Sequence, residues 1–249
     1  AMDAALPAVV APVDAAWSSA LLPPEAAQYG ATVCNLLFYL SPTVQLAQVY
    51  RTKGAALSSV NPLTLNLLFF NSALWLIWGV CLPLPAAVLG NFFGFMCGVC
   101  YLVFCWFYVW RRRGGGAPWG RQAAIGTVSA VFLNGAFAAY ASASHEGAEQ
   151  IGQLATLVCI GLFAAPLSDL RLVLAERSAE RLPPAQCTMQ FVNCILWLTV
   201  GLQQSAAPLI ICNVLGLALA SAQLGLLALL GTAGPKAALP PYLKSGSRA

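Results

Sequence analysis

Seven apolar stretches, each about as long as a bilayer's hydrocarbon is thick, follow one another along this chain: residues 29–50, 61–81, 85–110, 122–143, 151–174, 184–203 and 206–231. A helix rising 1.5 Å per residue needs about 20 apolar residues to cross roughly 30 Å of hydrocarbon. Lipid offers the backbone no hydrogen bonds, so such segments are stable there only as helices that bond their own amides. Charged residues make up 8% of the 249, against about 25% in an ordinary soluble domain. The sequence therefore predicts an all-α membrane protein with seven transmembrane helices.

The charges fall on two sides. Arg51 and Lys53 follow the first stretch, Arg111, Arg112, Arg113 and Arg121 the third, Arg171, Arg177 and Arg181 surround the link from the fifth to the sixth, and Lys236, Lys244 and Arg248 follow the seventh. Asp3, Asp14, Glu25, His145, Glu146 and Glu149 lie on the other side. Basic residues stay in cytoplasmic loops, which predicts an outer N-terminus and a cytoplasmic C-terminus. The basic excess thus reports topology and an attraction to anionic head groups at "RRRGGG", with nucleic acid a poor alternative. Residues 1–28 lack the basic start and unbroken apolar run of a signal peptide and are expected to form an extracytoplasmic tail, with 232–249 a cytoplasmic one. The nine cysteines lie almost all within the apolar stretches and behave there as small apolar residues. "CGVC" at 97–100 has neither a second pair nor a histidine beside it, so no metal or cofactor is expected.

A repeat emerges on comparing the chain with itself. "NSALWLIWG" from Asn71 to Gly79 returns as "NCILWLTVG" from Asn193 to Gly201, so that Asn71, Trp75 and Gly79 correspond to Asn193, Trp197 and Gly201 at a shift of 122 residues. The same shift takes Asn91 and Gly94 of "GNFFG" to Asn213 and Gly216 of "CNVLG". Upstream, Pro42 and Pro166 correspond at a shift of 124, and Pro62 and the pair Pro183–Pro184 mark the starts of the second and sixth stretches. Each unit has three helices. A unit with an odd number of spans ends across the membrane from its start, and the fourth stretch returns the chain so that both repeats run parallel. The resulting 3+1+3 plan has a first three-helix repeat at 29–110, a basic loop at 111–121, a linker helix and outer loop at 122–150, and a second repeat at 151–231.

Depth places the repeated residues together. Trp75 and Asn91 lie eight residues either side of Pro83, and Trp197 and Asn213 eight either side of Ser205; eight helical residues span about 12 Å, near mid-membrane. Two indole faces and two amides at one level suit a sugar, whose C–H faces stack on aromatic rings and whose hydroxyls bond amides. Trp75, Asn91, Trp197 and Asn213 are thus the candidate substrate-binding set, the alternative being interfacial tryptophans and asparagines that join helices. Asn71 and Asn193, one turn from the tryptophans on the same face, are secondary candidates with a packing role as the alternative. Gly90, Gly94 and Gly98, spaced four apart, permit close helix approach.

These features, with "APLSDLRLVLAERSAERLPP" and "SAQLGLL", resemble the two halves of a SWEET-type sugar transporter over roughly residues 29–231. The resemblance implies alternating access between two bundles, with the four-proline set Pro42, Pro62, Pro166 and Pro183 around an inner gate. It favours the plasma membrane, an intracellular membrane being the alternative, and allows a homo-oligomer. Where the family commonly has tyrosine before the glycine ending the second helix, this chain has Trp78, a candidate outer-gate residue. Ion-coupled carriers place charged groups within the membrane, and none is buried in these stretches; Asp169 and Arg171 lie towards the end of the fifth. That absence predicts facilitated diffusion by a uniporter, and two facing indoles favour a glucose-like hexose over a disaccharide. A heptahelical receptor and a Pro-Gln-loop amino-acid carrier are the competing readings. The repeat weighs against the first, the missing Pro-Gln dipeptide and intramembrane acid against the second. No catalytic cluster suggests an enzyme.

Overall fold

A computed structural model describes residues 22–60, 62–82, 84–111, 118–162, 170–171, 173–179, 182 and 184–231, and helices are the regular structure found among them. The long helices are α1 (Pro24–Leu40), α2 (Thr43–Arg51), α3 (Pro62–Cys81), α4 (Pro85–Arg111), α5 (Pro118–Ala143), α6 (His145–Leu162), α7 (Pro184–Gln203) and α8 (Ala207–Leu230). Five helices are long and apolar enough to cross a membrane: α3, α4, residues Ala123–Ala143 of α5, α7 and α8. Large apolar side chains such as Val103, Phe132, Leu157 and Leu229 point outward, as lipid-facing positions should.

The first expected stretch is two helices, because Pro42 has no N–H for the Phe38 carbonyl. Ser41 N–H takes that carbonyl instead, at 3.1 Å, and the Thr43 hydroxyl takes the carbonyl of Leu40. Both Ser41 and Pro42 keep near-helical dihedrals, so the break is a tightened turn. The linker helix begins at Pro118, four residues before its expected start, and α6 begins at His145, six before. There Ser144 Oγ accepts from Gly147 N–H at 2.9 Å and Glu146 sits in the first turn, a cap and an acid that favour a helix N-terminus. Pro62 opens α3 and is buried. Pro166, Asp169 and Pro183 lie outside the described residues.

Helix packing repeats with the sequence. Helix α1 packs on α4 and α7, and α6 packs on α8 and α3; α3 lies against α4 as α7 lies against α8. Exchanging α1, α3 and α4 for α6, α7 and α8 leaves these pairings unchanged. Helix α5 packs on α3 and α6. A Cβ on Gly79 would come within 3.0 Å of Ala87, and one on Gly201 within 3.0 Å of Leu209, so both helix pairs close on a glycine near their connecting turns. Lys53 and Arg177, 124 apart, both have φ of 50°, and Val49 and Val173, at the same shift, are both fully buried.

The core is divided by depth. Towards the turns at 81–85 and 203–207, hereafter the turn end, one cluster joins both halves: Ala27, Ala31, Leu74 and Trp78 with Ile151, Ala155, Val200 and Leu209. At the opposite, basic end there are two clusters. Leu46, Val49, Leu65, Tyr101 and Cys105 form one, and Val173, Ala179, Leu182 and Cys187 the other. Among the described residues, one core thus spans both halves at the turn end, and each half has its own core at the basic end.

Candidate functional site

Between the two halves lies a cavity of about 380 Å³. Trp75, Asn91, Trp197 and Asn213 line it, as do Asn71 and Asn193, so all six residues marked by the repeat meet in one space. It runs from the tryptophans towards Thr64 and Gln186, exposed residues near the basic-end starts of α3 and α7. Its described lining has no carboxylate, ammonium, guanidinium or imidazole; polarity comes from amides, indoles, hydroxyls and thiols.

The amides are held differently. Asn91 Nδ2 donates to the Ala87 carbonyl at 2.9 Å, and Asn213 Nδ2 donates to the Leu209 carbonyl at 2.8 Å. Each amide is therefore tied to its own helix one turn back, which fixes its rotamer. On Asn91 the carbonyl is also occupied, accepting from Tyr39 OH at 2.8 Å. The ring of Tyr39 lies over Gly94, where a Cβ would collide with it, and the Tyr39 carbonyl accepts from Tyr101 OH at 2.8 Å. Gly94, three residues after Asn91, thus makes room for the tyrosine that orients it.

Asn71 and Asn193 are the reverse case. Their Oδ1 atoms are buried without a hydrogen-bond partner, and both belong to residues lining the cavity. A buried, unpaired amide oxygen costs about 1–3 kcal/mol, and it appears here twice, at repeat-related positions. Two acceptors without donors, with indole faces one turn away, form a surface suited to hydroxyl groups on a compact ring.

The tryptophans also differ. Trp197 Nε1 donates to Asn35 Oδ1 at 3.1 Å, a bond between α7 and α1. Trp75 packs edge-on against Trp78, with centroids 5.4 Å apart. Trp78 is away from this cavity: its buried Nε1 has no partner, its indole abuts Gly152 of α6, and it faces a separate groove of about 780 Å³ with Glu149, Gln153 and Ser205. Among the prolines, Pro42 sits at the α1–α2 break and Pro62 at the base of α3.

Sequence reasoning missed Asn35 and Tyr39, which share a face of α1 four residues apart. The available signal was a polar residue within an apolar stretch. It also missed the link from Trp106 through Thr127 to Asn66, at 3.5 and 3.1 Å, which ties α5 to α4 and α3.

Comparison with known proteins adds two findings. Residues 28–113 and 149–232 match the family described as sugar efflux transporter for intercellular exchange. The solved structure titled as a eukaryotic SWEET transporter at 3.7 Å resolution superposes with a TM-score of 0.72 at 20% identity, covering 84% of this chain and 97% of that one.

Proposed function

The chain belongs to the family of sugar efflux transporters for intercellular exchange, the SWEET family, and from that premise we propose that it is a uniporter for a glucose-like hexose. It is a multi-pass membrane sugar transporter and not an enzyme. In the proposed cycle, seven spans in a 3+1+3 plan form two parallel bundles, residues 29–110 and 151–231, that rock about the sugar. Pro42, Pro62, Pro166 and Pro183 surround the gate at the basic end, which faces the cytoplasm of a cell whose plasma membrane holds the protein. Trp78 acts at the opposite gate by packing beneath α6.

One observation carries this reading: a single uncharged cavity lined by Trp75 and Trp197, Asn71 and Asn193, and Asn91 and Asn213. Amides and indoles can hold a neutral polyol without a coupling ion. A carrier with no charged group in its site to bind a coupling ion then moves sugar only down its gradient. The facing indoles favour one ring over two.

The test is uptake of labelled glucose and sucrose in cells lacking their own sugar carriers. Glucose uptake should saturate, persist after protonophore or sodium removal, and fall about tenfold in Asn91→Ala and in Asn213→Ala, the effect of about 1.4 kcal/mol of lost binding. Collapse of transport on removing the proton or sodium gradient would refute uniport. Preferential movement of sucrose would refute the hexose assignment, and near-normal uptake by both variants the binding assignment.

A further inference from the structure

We propose that Asn35 is a positioning residue of the transport cycle: by holding the Trp197 indole across the α1–α7 seam, it latches the turn end shut and biases the carrier towards the state open at the basic end. The proposal builds on the transporter reading given above but concerns the conformational balance, which can be measured without sugar.

Asn35 and Trp197 are buried, and their 3.1 Å bond joins the first half of the molecule to the second. The seam around it is tight: a Cβ on Gly30 would lie 3.2 Å from Leu196. A second side-chain bond crosses the same seam nearer its end, from Gln203 Nε2 to the Leu22 carbonyl at 2.7 Å. The repeat-related seam between α3 and α6 is closed differently. There the shift of 124 that relates α1 to α6 replaces Asn35 by Cys159, and a thiol is a much weaker acceptor than an amide oxygen. Trp78 packs on Gly152 with its indole nitrogen unpaired. Two seams that match in packing are therefore unlike in polarity, and the polar one contains a residue of the sugar site.

Opening the turn end must part α1 from α7, because the core that fuses the halves lies there. The Trp197 N–H then loses Asn35 and faces the cavity, where a sugar hydroxyl can accept it. The same donor closes the empty carrier at one end and becomes available to substrate arriving from that end. A neutral hydrogen bond shifts such an equilibrium by roughly 2- to 10-fold, and apparent affinity from each side scales with the fraction of molecules open to it.

The experiment measures distances between spin labels carried by unnatural amino acids at Arg51 and Ala175, exposed residues on the two basic-end arms, in sugar-free proteoliposomes. Asn35→Leu should lower the ratio of long to short distances by about 2- to 10-fold. Trp197→Phe should do the same, and the double variant no more than either alone, since both remove one bond. If Asn35→Leu does not fold, Trp197→Phe against the parent carries the test. An unchanged ratio in either folded variant, or additive shifts in the double variant, would overturn the latch. Glucose flux in the same vesicles judges the transporter reading separately: absence of flux in the parent would defeat that reading and leave the distance result standing.

Discussion

Asn71 and Asn193 each bury an amide oxygen with no donor to meet it, a sacrifice of stability that a protein retains when the group has work to do. Leucine has nearly the same shape and no polar atoms. Asn71→Leu and Asn193→Leu should therefore leave the melting temperature unchanged or raise it, while weakening glucose binding about tenfold. A thermal melt and a binding titration on the same preparations check the pair, and a variant losing stability and affinity together would show that the amide is a helix-packing group. Asn91 behaves differently, since Tyr39 already occupies its carbonyl. Tyr39→Phe should free that oxygen and alter sugar preference more than stability, measured by competition of labelled glucose uptake with a panel of epimers.

At the scale of the element, Pro42 divides the first span into α1 and α2 with the helical path nearly preserved. Pro42→Ala restores the missing N–H and relieves a residue that costs about 3 kcal/mol in a helix interior. The expected outcome is a stiffer span, with sugar exchange slowed several-fold and equilibrium binding changed less than twofold; rapid-exchange kinetics beside a binding isotherm separate the two. The same scale shows what the sequence could reveal. Hydropathy detects what lipid touches, so it marked the apolar runs but not the polar first turn of α6, where Ser144 and Glu146 build a helix outside them. Comparison of the halves detects what they share. It brought out the Trp, Asn and Gly positions because those side chains have few substitutes at a tight or hydrogen-bonding contact. It was blind to Asn35 and Tyr39, whose counterparts are Cys159 and Phe163. The site's duplicated part was legible, and its asymmetric part needed the fold.

For the whole molecule, the described residues form one core shared by both halves at the turn end and one core in each half at the basic end. The seam at the turn end is formed by small residues of α1, Ala27, Gly30 and Ala31, against larger partners, a smooth contact that can part without side chains unthreading. The same arrangement orders events at birth. Helix α1 is made first, yet the indole that donates to its buried amide oxygen lies 162 residues later. At 5–20 residues per second, synthesis takes about 8 to 30 s to supply that partner. Tyr39 meets Asn91 sooner, 52 residues on. Until α7 arrives, Asn35 can pack against Gly90 of α4 but its amide oxygen lacks the indole of the finished carrier, so the bond that sets the carrier's resting state is one the nascent chain can make only late in its synthesis.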